Sequence, residues 1–187
     1  MRTRSPWIGS FLLSISVGIV VLGACIPQAL PTCAGPTCIC NGLACGCNGG
    51  ASCDVECGAN PGCAATCSDV TNCNIACQDS CDAQCTGGDT CTIQCGRGCN
   101  SDCNGAKRCS VGAGDGSVIH CSNAGSCNVA CGGACTVMCD GQPCSVQCSN
   151  LSACDVQCGG SAGPAATCSV DDAGLGGVKV CGSGCAP

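Results

Sequence analysis

Along most of this chain, apolar and polar positions alternate inside short units of five residues, and each unit is fenced by cysteine. From Cys53 to Cys168 the unit reads C-x3-C with Val, Ile or Ala usually at its centre, as in CDVEC (Cys53–Cys57), CNIAC (Cys73–Cys77), CTIQC (Cys91–Cys95) and CDVQC (Cys154–Cys158). Five residues bounded by Gly, Asn and Asp are too few for a helix, and a β-branched centre favours a strand. Positions one, three and five of a strand share a face. The two cysteines and the central residue should therefore point inward, while positions two and four meet water. The outward residues fit: Asp54, Glu56, Asn74, Asp82, Gln84, Gln94, Asn100, Asp102, Ser145, Gln147, Asp155 and Gln157, with Val118 and Met138 as apolar exceptions.

The spacers between units are turn chemistry, such as Gly96-Arg97-Gly98 and Gly114-Asp115-Gly116. Between Cys67 and Cys135 they alternate strictly as five and three residues, so two units and two spacers make an 18-residue period. The beat continues if Cys109–Ala113 and Ser117–Cys121 are units that have each lost one cysteine, and PAATC (Pro164–Cys168) repeats CAATC (Cys63–Cys67) in the same way. A fixed period near twenty signals a solenoid, whose coils bury their inner faces on one another. Odd units centre on Val55, Ile75, Ile93, Val111, Val129 and Val146, even ones on Ala65, Ala83, Ser101, Ile119, Val137 and Val156. These two sets predict opposite walls. The expected fold is all-β: a disulfide-stapled two-sheet β-solenoid of about six coils over residues 53–168, with Cys-rich caps at 33–52 and 169–187.

Cysteines four apart in a strand are separated by about 13 Å, beyond the roughly 7 Å reach of a disulfide. Pairing is instead expected across spacers: Cys57 with Cys63, Cys67 with Cys73, Cys77 with Cys81, Cys85 with Cys91, Cys95 with Cys99, Cys103 with Cys109, Cys121 with Cys127, Cys131 with Cys135, Cys139 with Cys144, and Cys148 with Cys154. The cysteines missing at Ala113 and Ser117 are the two that this scheme would join, so their joint loss leaves no orphan thiol. Cys33, Cys38, Cys40, Cys45, Cys47 and Cys53 remain for one cap and Cys158, Cys168, Cys181 and Cys185 for the other, with their connectivity open, as is pairing between stacked coils.

Composition adds an address. Residues 1–24 carry Arg2 and Arg4 followed by an apolar run from Trp7 to Leu22, the layout of a secretory signal peptide. The ending Leu22-Gly23-Ala24-Cys25 resembles the lipobox of bacterial lipoproteins. That resemblance implies cleavage before Cys25, acylation of Cys25 with chains such as palmitate, and a lipid-anchored spacer over residues 25–32. Ile26, where an Asp would signal inner-membrane retention in some bacteria, points to the outer membrane. Two or more acyl chains hold a protein firmly where one does not. Without the leader the chain has no aromatic residue, and four basic residues face twelve acidic ones, a net charge of −8. That balance argues against nucleic acid as a partner. A chain with so few large side chains needs cross-links, and 31 cysteines in an exported chain supply them.

No catalytic constellation emerges. The lone histidine, His120, sits at an outward position beside Cys121 and reads as a surface residue. C-x2-C redox motifs and the Gly-Gly-x-Gly-x-Asp turns of calcium-binding solenoids are absent. Disulfide-laddered solenoids with small polar faces also resemble insect antifreeze proteins, but the Thr-x-Thr motif of their ice-binding face occurs once, at Thr90-Cys91-Thr92. Cys38-Ile39-Cys40 and Cys45-Gly46-Cys47 are spaced like metallothionein ligands, which makes a thiol-based metal-sequestering lipoprotein the alternative reading. The primary expectation is a non-enzymatic envelope protein, without cofactor or metal, that has a structural or docking role and is held to the membrane by lipid.

Overall fold

A computed structural model of the chain describes residues 29–140, 143–149, 154–159, 166–168 and 178–181. The expected signal peptide, Cys25, Cys185 and most of the expected C-terminal cap lie outside these residues. The strands run β1 (Thr32–Ala34), β2 (Cys38–Asn41), β3 (Ala44–Asn48), β4 (Ser52–Glu56), β5 (Ala64–Ser68), β6 (Asn72–Ala76), β7 (Asp82–Thr86), β8 (Thr90–Cys95) and β9 (Asn100–Asn104). They continue as β10 (Arg108–Ala113), β11 (Val118–Ser122), β12 (Cys127–Cys131), β13 (Thr136–Asp140), β14 (Cys144–Cys148), β15 (Asp155–Gly159), β16 (Ala166–Cys168) and β17 (Val178–Cys181). The chain is a two-sheet β-solenoid with about six coils of roughly 18 residues, and the described residues contain no helix.

Successive strands alternate between the two sheets. One sheet orders β1-β4-β6-β8-β10-β12-β14-β17-β16 and the other β15-β13-β11-β9-β7-β5-β3-β2. From β4 to β14 and from β3 to β15 every pairing is parallel and in register. In-register stacking turns the repeat into columns. Val55, Ile75, Ile93, Val111, Val129 and Val146 form one buried column. Ala65, Ala83, Ser101, Ile119, Val137 and Val156 form the column facing it. The flanking cysteines are buried beside them, so small apolar side chains and sulfur fill a core that lacks aromatic rings. The degenerate units at Cys109–Ala113 and Ser117–Cys121 take full places as β10 and β11.

The spacers resolve into two kinds of corner. In the spacers Ser68–Asn72, Thr86–Thr90 and Asn104–Arg108 the first and last residues stay extended and pair with the next coil, Ser68, Thr86 and Asn104 in one sheet and Asn72, Thr90 and Arg108 in the other. Only their three central residues turn, as in the three-residue spacers. Each corner then carries a left-handed residue at a fixed place: Asp69, Gly87, Gly105 and Asn123 in the long corners, Ser80, Gly98, Gly116 and Ala134 in the short ones. The N–H groups of Asp69, Gly87 and Gly105 donate to the next coil's Thr86, Asn104 and Ser122 carbonyls at 2.8–3.0 Å. Corner backbone groups are thereby paired along the axis.

Two boundaries differ from the sequence reading. Coiling begins at β3, nine residues before Cys53, because Cys45 and Cys47 occupy the inward places of Ala65 and Cys67 in the column. The Cys45-Gly46-Cys47 pair is thus part of a solenoid strand, and β1 and β2 cap it with antiparallel pairings. At the other end, PAATC does not stack on β14. β17 inserts there antiparallel, and β16 pairs antiparallel with β17 beyond it. Cys181 stands opposite Cys144 and is bonded to Cys158, which fixes β17 in the place that the next coil would have filled.

Candidate functional site: the sulfur ladders and the outer faces

Corners of each kind stack along one edge of the solenoid, and each edge carries a sulfur ladder. At the long corners the bonds are Cys47–Cys53, Cys67–Cys73, Cys85–Cys91, Cys103–Cys109, Cys121–Cys127 and Cys139–Cys144, and Cys158–Cys181, 23 residues apart in the chain, joins β15 to β17. This ladder is unbroken. On the short-corner edge, Cys57–Cys63 and Cys77–Cys81 lie below a gap, and Cys131–Cys135 and Cys148–Cys154 above it. Cys33–Cys38 and Cys40–Cys45 close the N-terminal cap. Cα separations across the ladder bonds are 5.5–6.5 Å. That range suits a disulfide. Each bond closing about five residues limits the unfolded chain by about 2 kcal/mol in the loop-entropy account.

The gap spans two consecutive corners. One has Ala113 and Ser117 in place of cysteines. The other holds Cys95 and Cys99, the two cysteines outside a disulfide among the described side chains, so the expected Cys95–Cys99 bond is absent and must be corrected. The local difference at this corner is its two hydroxyls, Ser101 and Ser117, since the carbonyl contact of Cys99 recurs at the bonded Cys135. Cys95 Sγ lies 3.6 Å from Ser101 Oγ, and Cys99 Sγ donates to the Gln78 and Gly96 carbonyls at 3.4 and 3.5 Å. Ser117 Oγ accepts from Cys99 N at 3.1 Å and donates to Gly96 O at 3.4 Å. Burial, together with a hydrogen bond to Cys99, pushes the Cys95 thiol up to about 12. Both sulfurs face the interior, with Cys99 buried and Cys95 half-buried.

Sulfurs also crowd between coils, and groups such as Cys57, Cys77 and Cys81, or Cys67, Cys73 and Cys85, lie within 4.8 Å of one another. Every sulfur in these two groups is committed to a disulfide and offers no thiolate to a metal.

His120 stands on the outer face of β11, between Asp102 and Met138 of the neighbouring strands, and its Nε2 is 3.6 Å from Asp140 Oδ2. Asp102 is half-buried, and its Oδ1 is shielded without a hydrogen-bond partner. The imidazole and the open thiols lie on opposite sides of the sheet wall, so the histidine cannot serve them as a base. Of the outward apolar exceptions, Val118 is exposed and Met138 half-buried. The corner cations are occupied: Arg97 pairs with Asp79 at 3.2 Å, Lys107 with Asp89 at 2.6 Å, and Arg108 donates to Thr90 Oγ1. On the other sheet, Gly112 and Ala130 leave a shallow trough of about 290 Å³ between Gln94 and Gln147, floored by Ser110, Asn128 and Ser145.

Parallel in-register columns and two corner ladders define a class: a disulfide-stapled two-sheet β-solenoid. No family model, curated protein or solved structure matches the chain.

Proposed function

We propose that this chain is an exported, lipid-anchored protein of the bacterial cell envelope, held by acylated Cys25 to the outer membrane, with a non-enzymatic structural or docking role. The observation that carries the reading is the ladder itself. Thirteen disulfides among the described residues suit an oxidising compartment, and the apolar leader ending at Cys25 supplies a route there. A cross-linked solenoid presents its outer faces as a surface for docking. The paired cations and the charge balance favour a partner other than nucleic acid, and the Gly112–Ala130 trough is one concave feature such a partner would meet.

The test is fractionation of cells expressing the chain and its Cys25→Ala variant, combined with metabolic acyl labelling. The native chain should fractionate with membranes and carry label, and the variant should be unlabelled and released. Membrane retention of an unlabelled variant would defeat the anchor. Intact mass before and after alkylation, with metal analysis, separates this reading from sequestration, which requires many alkylatable thiols and stoichiometric metal.

A further inference from the structure

We propose that Cys95 and Cys99 form a reversible dithiol–disulfide site, the one open cysteine pair among the described corners of the two ladders. The backbone is set for closure. Cys95 follows Gln94, which stacks on Ala76, so it lies over Cys77; Asn100 stacks on Asp82, so Cys99 lies over Cys81. The pair beneath is bonded across a Cα separation of 6.0 Å with the same number of intervening residues, three. Closing the upper pair therefore needs side-chain rotation alone.

The open form is equally provided for. Ser101 and Ser117 are two of the three buried polar residues among those described, and both surround this corner. Ser101 is the single polar residue in a column of Ala, Ile and Val, and its hydroxyl meets Cys95 Sγ. A buried hydroxyl without a partner is costly, so its place here is explained by the reduced thiol. Above the pair, Ala113 stacks on Cys95 and Ser117 caps the Cys99 amide. Neither brings a sulfur, which leaves both cysteines room to change rotamer.

The chemistry is thiol–disulfide exchange. Cys95, the more exposed thiol, attacks a disulfide oxidant, forms a mixed disulfide and releases one thiolate. Cys99 then displaces the second. The pair loses two electrons and two protons, and the oxidant leaves as two thiols; a dithiol reductant reverses the sequence. Exchange is slow at neutral pH because burial keeps the Cys95 thiol protonated.

The experiment equilibrates the folded mature protein in glutathione buffers from fully reduced to fully oxidised, quenches with acid, unfolds and alkylates the quenched protein with a maleimide, and reads each cysteine by peptide mass. Cys95 and Cys99 should convert together between doubly alkylated and bonded forms while Cys77–Cys81 and the long-corner bonds stay closed. Ser101→Ala removes the hydroxyl that holds the reduced form, and should move the midpoint toward oxidation by roughly threefold. A pair that stays alkylatable in the most oxidising buffer, or that opens only together with Cys77–Cys81, would overturn the site. An unmoved midpoint in Ser101→Ala would overturn the role given to the serine.

Discussion

At the scale of single residues, the solenoid depends on positions where backbone leaves no room for a side chain. Gly88 has φ +82°, and a Cβ there would run into the Val70 carbonyl oxygen of the coil below. Gly116 has φ +71° but open space around the same point. Gly88→Ala should thus destabilise by about 2–3 kcal/mol, combining the left-handed penalty with the clash, and Gly116→Ala by about 1 kcal/mol. Denaturant unfolding of the oxidised proteins would measure the difference. The Cys95 thiol, raised to about 12, should resist iodoacetamide at pH 8 in the folded protein, and its alkylation rate should climb with pH up to that value. The Asp79 carboxyl is held below its ordinary range by the Arg97 amide and guanidinium. A lowered folded value means the contribution is present above the unfolded pKa and is lost as pH falls through the folded one. An NMR titration of the Asp79 carboxyl carbon should accordingly show a midpoint below that of an ordinary aspartate.

At the scale of strands and corners, sidedness decides what a substitution costs. Ile93 is fully buried in its column, whereas Thr92 beside it points outward. Ile93→Ala should cost about 2–4 kcal/mol and Thr92→Ala within about 0.5 kcal/mol, again read by denaturant midpoints. This contrast was legible in the sequence because a strand's side-chain period is two and cysteine marks the phase. The corners were legible only in part. Their lengths told where the chain turns, but the extension of Ser68 and Asn72 into the sheets depends on pairing with neighbouring coils. The state of Cys95 and Cys99 was not legible either. Their spacing matches that of Cys77 and Cys81, and what distinguishes them is Ser101 and Ser117, 6 and 18 residues away, brought in by stacking.

At the scale of the whole molecule, the core is thin and aromatic-free, so the ladders carry a share of stability that a hydrophobic core normally supplies. Full reduction should therefore abolish the β-sheet circular dichroism signal of the mature protein under conditions where the oxidised form retains it. Survival of that signal with every thiol alkylated would show that the packed columns suffice without cross-links. The sequence by itself determined the strand units, their inward faces, the 18-residue coil and the two opposite walls, since all of these follow from local periodicity and turn chemistry. Tertiary structure alone decided three things: that coiling starts at β3, that β17 enters antiparallel where PAATC was expected, and that one corner of the ladder stands open. Each turns on contacts between residues distant in the chain. The energies of those contacts, a disulfide from Cys158 to Cys181 or a hydroxyl set against a thiol, appear in no local pattern of residues.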